Sequence, residues 1–335
     1  MDTPVLISHK TAWLVHHAPR NLVQAVAQRD YQIGVRGLST QQRIARIRQA
    51  LTDCGIPSTM LKTIDISVVF AFERIRTNGV ACHVLGQNLP YDHIDELTPG
   101  IFITDEALTF VFAAEWMDRI EYLEYGYEVC GDYRMGFNPD DPYSEQPATT
   151  SKDEIVELLD RHPGKPGATR ARLALRHIYD HSASPMETAS AIALSLPTSE
   201  GGVGIRGVEL NKPLEIPKRL WHCTKARTLK IDGLITYKRR ELGIEYKGGF
   251  HDEVERKGAD AEREAVLAQM GYRIITLTST QFASQLAFHR AMNNIREALG
   301  MPRCIDAEYQ RKQNELRKVL IRNWKSDQAE ESPSE

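Results

Sequence analysis

The sequence predicts an α/β protein of two domains, and three observations carry that expectation. Its 335 residues are enough for two cores of ordinary size. Runs rich in Val, Ile and Phe alternate with segments whose apolar residues recur at helical spacing. Between Gly131 and Thr150 the composition shifts to Asn, Asp, Pro, Tyr and Ser, as in a loop or linker. The expected organisation is an N-terminal α/β accessory domain over 1–135 and a linker with connecting helices over 136–183. A second domain follows over 184–300, then a charged helix and disordered tail over 301–335.

Ser8 to His17 and Ser39 to Cys54 read as short amphipathic helices. The second opens on Ser39 and Thr40 as N-cap residues, places Ile44, Ile47 and Leu51 on one face, and stops at Gly55-Ile56-Pro57. Ile64 to Phe72 and Ala81 to Leu85 read as strands with Asn78-Gly79 as the turn between them. Gly100 to Thr104 is a further strand, Asp105 to Met117 an amphipathic helix, and Ile120 to Val129 another. Ser151 to Arg161 and Gly167 to His181 are expected helices around a Pro163 to Pro166 turn. Ser184-Pro185 starts the next one, with Ser as N-cap and Pro in the first turn. Gly258 to Met270 has helical spacing and ends at Gly271; Arg273 to Thr278 is a strand, and Gln281 to Leu299 a helix ending at Gly300. Tyr309 to Trp324 reads as an exposed, charged helix.

Composition excludes several classes. No apolar run reaches eighteen residues and the N-terminus lacks a basic-then-apolar leader, so neither a membrane span nor a signal peptide is expected, and cytoplasmic placement is the default. The five cysteines are scattered without a C-x-x-C pair, which argues against a zinc knuckle or a disulfide framework. His9, His16-His17 and His222-Cys223 lack partners at metal-ligand spacing and read as structural. A net charge of −3 does not advertise nucleic-acid binding. Its distribution matters more: Lys218, Arg219, Lys225, Arg227, Lys230, Lys238, Arg239 and Arg240 crowd one stretch, which can hold phosphate backbone or be a solvated strand edge protected by lysines.

That stretch also carries the chemistry. Side chains alternate faces along a strand, so Glu245 and Lys247 share one side while Ile244 and Tyr246 take the other. Leu229 and Ile231 fall on an apolar side and Asp232 opposite, with Tyr237 to Arg240 as the turn. An antiparallel pairing brings Asp232, Glu245 and Lys247 onto one polar face. Two carboxylates and an amine suit phosphodiester hydrolysis with Mg²⁺ or Mn²⁺, the carboxylates as oxygen ligands and the lysine orienting water or neutralising charge.

The order helix, hairpin, helix, strand, helix over 184–300, with Asp232 and Glu245-Tyr246-Lys247, resembles the PD-(D/E)XK nuclease superfamily. Ile244-Glu245-Tyr246-Lys247-Gly248-Gly249-Phe250-His251, then Asp260-Ala261-Glu262-Arg263 and Met270-Gly271-Tyr272-Arg273-Ile274-Ile275, is similar to Vsr-like (very short patch repair type) endonuclease domains. Those domains carry Glu-Tyr-Asp-Gly-x-x-His, Asp-x-x-Arg and Gly-Trp/Tyr-x-Val/Ile, and the match spans about a third of the chain. The resemblance implies a restriction-endonuclease-like fold, a mixed central sheet flanked by helices. It makes Asp232 and Glu245 the metal ligands, Lys247 and His251 catalytic, and Glu187 the helix glutamate near the metal. Asp260 and Arg263 are supporting or DNA-contacting residues, with Lys230, Arg239 and Arg240 on the phosphate backbone. Position 247 is Lys where the Vsr-like group usually has Asp, a return to the wider superfamily's Glu-x-Lys. The zinc-binding Cys/His set of true mismatch-repair members is not visible, so G·T specificity is not carried over. Gly100 to Val129 is similar to the segment preceding such domains in fusion proteins, which resembles AbiEi-type antitoxin regulators.

The resulting expectation is a Mg²⁺-dependent DNA endonuclease or nickase in DNA repair, phage defence or a mobile element. The N-terminal domain would serve a homodimer contact or a protein partner. The alternative is a non-catalytic DNA-binding or toxin-antitoxin regulator that retains the nuclease fold.

Overall fold

In the computed structural model the described residues are 4–138, 141–247 and 255–322, with 255–260 described by backbone alone. The chain forms two compact units, residues 1–180 and 181–335. Both combine a sheet of mixed strand direction with flanking helices. No helix among the described residues is long and apolar enough to cross a membrane.

The first unit opens with β1 (Val5–Ile7), α1 (His9–His16), α2 (Arg20–Ala27) and α3 (Thr40–Asp53). Ser39 and Gln42 close a reciprocal capping box at the start of α3, satisfying donors that the first helical turn leaves open. β2 (Ile64–Val68), β3 (Val80–Val84), β4 (Ile94–Thr98) and β5 (Ile101–Thr104) complete a sheet of order β3-β2-β1-β5-β4. Ile7, Ile64 and Ile101 are fully buried and share one apolar cluster with Val26, Ile47 and Leu51 of the helices.

The strand expected at 64–72 ends at Val68, with a single 3-10 turn over Ala71–Glu73, and the one expected at 81–85 is β3; Asn78-Gly79 does not join them as a hairpin. β2 and β3 run parallel, Ile64 opposite Val80, and parallel strands require a crossover. Gly79 takes φ +75 at the entry to β3, and Arg48 donates to its carbonyl at 2.9 Å.

α4 (Glu106–Ala113) is buried on every side from Ala107 to Ala113, as a helix apolar all round must be. α5 (Arg119–Val129) packs on it, with Phe110 and Tyr122 stacked at 4.6 Å. The segment read as a loop holds a small hairpin, β6 (Tyr133–Met135) with β7 (Tyr143–Glu145). The connecting helices α6 (Lys152–Arg161) and α7 (Ala168–Ala174) are not a linker. They bury Ile155, Leu158, Leu159 and Ala171 and pack with α4, so they belong to the first unit.

The second unit runs α8 (Pro185–Ser195), β8 (Val208–Glu215), β9 (Thr228–Tyr237), β10 (Arg240–Lys247), α9 (Glu255–Met270), β11 (Ile274–Thr278), α10 (Ser279–Ala283), α11 (Gln285–Ala298) and α12 (Ala307–Leu320). Its sheet has the order β11-β10-β9-β8. β8, β9 and β10 are antiparallel neighbours, and α9 carries the chain from β10 to the parallel strand β11. The single helix expected over 281–299 is broken at Ser284, which caps α11. α12 is not an exposed helix, because Tyr309, Gln313, Leu316 and Leu320 are buried. It also approaches Gly201 so closely, at φ +90, that a Cβ there would lie 2.6 Å from the Lys312 carbonyl.

Candidate functional site

The hairpin of β9 and β10 forms in the expected register. Lys238 takes φ +55 in the two-residue turn, Tyr237 opposes Arg240, and the ladder continues to Gly233 opposite Ile244. The ladder ends there, with Asp232 just before Gly233 and Glu245 just after Ile244. There the Asp232 carboxylate accepts from the Tyr246 backbone N–H at 2.7 Å, so it is held in place from the neighbouring strand. Glu245 is 8% exposed, and Lys230, two positions before Asp232, lies on the same face.

Glu187 reaches this face from the first turn of α8, where Ser184 is the N-cap. Its carboxylate accepts from Ala183 N–H at 2.9 Å, Ser184 Oγ at 3.1 Å and Asn211 Nδ2 at 2.5 Å. Asn211, at φ +47 in β8, also donates to the His181 carbonyl. Nothing in its sequence neighbourhood marks it as a positioning residue; only the fold brings it to Glu187.

Asp232 and Glu187 are only partly relieved by these hydrogen bonds. Burial first, then the Glu245 charge, then Glu187, push Asp232 up to about 7 against the Tyr246 N–H and Arg263. Burial also raises Glu187, with a further contribution from Glu245. Desolvated like charges favour the protonated form.

Arg263 of α9 answers Glu245 with two bonds, Nη2 to Oε1 at 2.7 Å and Nη1 to Oε2 at 2.9 Å, and also donates to the Lys230 carbonyl. Lys247, the next same-face position on β10, meets Glu264 at 3.1 Å in a largely exposed pair. Glu245, Lys247, Arg263 and Glu264 line a shallow cleft with Leu267, Ile274 and Thr276. Asp260 is on α9 one turn before Arg263, with its side chain outside the described set. His251 lies outside the described residues.

Two expected phosphate contacts do not gather here. Arg239 and Arg240 belong to the turn end of the hairpin, five positions along β9 from Asp232, which is roughly 17 Å at about 3.3 Å per residue. Arg240 instead donates to the Ala298 carbonyl at the end of α11. The basic residues at the opposite end are nearer in register, because β9 begins where β10 finishes. Here Trp221, overlooked in the sequence, is 41% exposed, with the Arg227 guanidinium 4.5 Å and the Lys218 ammonium 5.9 Å from its ring centre.

Among the described residues, the trio of His, Cys, Asp or Glu whose ligand atoms all lie within 4.8 Å of one another is in the first unit, His9, His83 and Glu115. The sequence spacing left His9 without such partners; the sheet supplies them.

No protein-family model, curated protein or solved structure matches this chain.

Proposed function

We propose that the second unit is a Mg²⁺-dependent DNA endonuclease or nickase on a restriction-endonuclease-like fold, acting in DNA repair, phage defence or a mobile element. One observation carries the reading: Glu187, Asp232 and Glu245 come together from α8, β9 and β10, so that the Glu245 charge raises both Asp232 and Glu187 and the Glu187 charge adds to the rise of Asp232 to about 7. A set of oxygen donors from three carboxylates, one of them answered by Arg263, fits a hard divalent cation. Glu187, Asp232 and Glu245 would hold it. When bound, Mg²⁺ or Mn²⁺ supplies polarisation of a phosphate oxygen and a more acidic water.

The chain's own groups divide the remaining work. Glu187 is fixed by Ala183, Ser184 and Asn211, and Asp232 by the Tyr246 N–H. Glu245 joins them by releasing Arg263, whose guanidinium then turns to grip a phosphate in two places. Lys247 orients water or neutralises charge developing on the phosphate. His251 is assigned base or hydrogen-bond donor by resemblance alone. Lys230 and the basic segment around Trp221 offer the DNA backbone a landing surface. The first unit would supply partner or homodimer contacts, and the setting is cytoplasmic.

The second reading, a DNA-binding or toxin-antitoxin regulator that does not cut, draws on a specific feature. Glu245 is taken up by Arg263, and Lys247 by Glu264. The two readings separate on supercoiled plasmid. The nuclease reading expects nicking with Mg²⁺ or Mn²⁺ that disappears in Asp232→Ala and in the Glu245→Ala/Lys247→Ala pair. Salt-sensitive gel shifts without cleavage by the wild type would leave the regulator, and cutting that survives Asp232→Ala would rule out this site.

A further inference from the structure

His9, the first residue of α1, holds φ +51 although it is not glycine, a conformation uncommon outside turns and strained sites. Its ring is buried between two others, His83 at 3.6 Å and 10° and Phe112 at 4.5 Å and 4°. Nδ1 lies 2.8 Å from Ser8 Oγ, which in turn lies 2.6 Å from Ser67 Oγ. The other nitrogen, Nε2, is 4.0 Å from Glu115 Oε2. On the neighbouring ring, His83 Nε2 is 2.9 Å from Asp65 Oδ1, and Asp65 also accepts from Thr11 Oγ1 at 3.2 Å. Each imidazole therefore has one nitrogen tied to an oxygen partner that is itself hydrogen-bonded. Outer partners of this kind fix the tautomer and direction of metal-bound histidines.

We propose that His9, His83 and Glu115 form a binding site for a divalent transition-metal ion of the zinc class, with a remaining position for water. Two neutral imidazoles and one carboxylate suit such a borderline cation, whereas the all-oxygen face of the second unit suits Mg²⁺. Bonds of about 2.0–2.2 Å require the ligand atoms to close in from their present spacing. They also require the rings to leave their parallel stack, because stacked imidazoles hold their lone pairs in separate parallel planes that do not converge on one ion. His83 is the ring able to tilt: its side chain is 29% exposed and β3 is an edge strand, while His9 is wedged between two aromatic neighbours. Glu115, with a 40% exposed side chain, opens the site to solvent and gives an ion a way in. The proposal does not depend on nuclease activity.

The test uses the full chain stripped of metal with EDTA and titrated with Zn²⁺ by calorimetry and with Co²⁺ by visible absorption. With excess Mg²⁺ present to occupy the second unit's carboxylates, one equivalent should bind to the wild type and to Asp232→Asn alike. Affinity should fall at least about tenfold in His83→Ala and in Glu115→Gln, the loss typical of damage to a metal-ligand set. Both changes fall on side chains in contact with solvent, so the fold should survive, as circular dichroism would verify. Absence of stoichiometric binding by the wild type, or wild-type affinity in either variant, overturns the site.

Discussion

In the first unit His17, Glu128 and Arg134 are 6%, 4% and 4% exposed, yet each charge has an answer. His17 lies 3.0 Å from Glu128, Met135 N–H donates to Glu128 at 2.9 Å, and Arg134 bonds the Glu128 carbonyl and the Glu106 carboxylate. In the second unit Asp232 is less buried but lacks such compensation, and faces Glu245 and Glu187 instead. Their pKa shifts follow. Burial pulls His17 down, but the charge and hydrogen bond of Glu128 outweigh it and leave it raised. Burial pushes Glu128 up, but His17 and Arg134 hold it lowered. Asp232 has no partner strong enough to reverse its burial. A satisfied buried network stabilises only if it stays whole; unrelieved charge on a solvent-reached face is a feature of functional sites.

The largest expected effect breaks the first region. Glu128→Ala leaves His17 and the Met135 N–H without their shared acceptor and removes the negative charge near Arg134, which should cost the first unit about 3–5 kcal/mol, read as lost amide protection in α1, α5 and β6 by hydrogen exchange. Asp232→Asn should instead leave the second unit as stable or more stable at pH 8. An equal loss there would mean that Asp232 is a structural carboxylate like Glu128.

Next in size is the response to pH. Asp232 rises from 3.8 to about 7, so the folded state binds its proton more tightly than the unfolded chain, and stability falls as pH rises between those values. The complete shift corresponds to about 4 kcal/mol; partial solvent contact should reduce the observed loss to about 2 kcal/mol. Over most of the same interval the first unit's pair keeps its contribution. The Glu128 contribution is present above 4.5 and lost as pH falls through its lowered value; that of His17 is full below 6.5 and lost as pH rises through its raised value. Between about pH 4.5 and 6.5 hydrogen exchange should therefore show the second unit weakening while the His17–Glu128 contribution holds. Absence of that divergence, or its persistence in Asp232→Asn, would contradict the assignment.

A smaller loss is expected from Arg263→Gln. Removing the two bonds to Glu245 should lower the second unit's stability by about 1–2 kcal/mol. It should also increase the stabilisation gained from Mg²⁺, because the carboxylate is freed; thermal unfolding with and without the ion measures both. Lys247→Ala should change stability least, within about 1 kcal/mol, since its pair with Glu264 is exposed. If Lys247 acts on the phosphate, plasmid nicking nevertheless falls about 10²-fold or more. Unchanged nicking would confine Lys247 to a surface role.

The hairpin was legible because strand alternation has a period of two and the Tyr237 to Arg240 turn fixes its register; Lys247, expected beside the carboxylates, instead pairs with Glu264. Asn211 was not legible. Its strand reads Asn211-Lys212-Pro213-Leu214, polar and with a proline, and is permitted because β8 is at the sheet edge. The Asn78-Gly79 signal misled because pairing was decided by β1, three residues long, which enters between β2 and β5 and favours the parallel partner for β2. The buried side of α12 was encoded in the spacing of Tyr309, Gln313, Leu316 and Leu320, though masked by its charged residues. His83 and Glu115 reach His9 only through the sheet and α4, a convergence that no local pattern announces.

The central claim is that the Glu187, Asp232 and Glu245 face is unfinished without a divalent cation. Its most direct test is the thermal unfolding midpoint of the second unit at pH 8, measured against Mg²⁺ concentration for wild type and Asp232→Asn. A Mg²⁺-dependent rise in the wild type that is largely absent in Asp232→Asn is the predicted result. Equal shifts in both proteins, or none in the wild type, would contradict it.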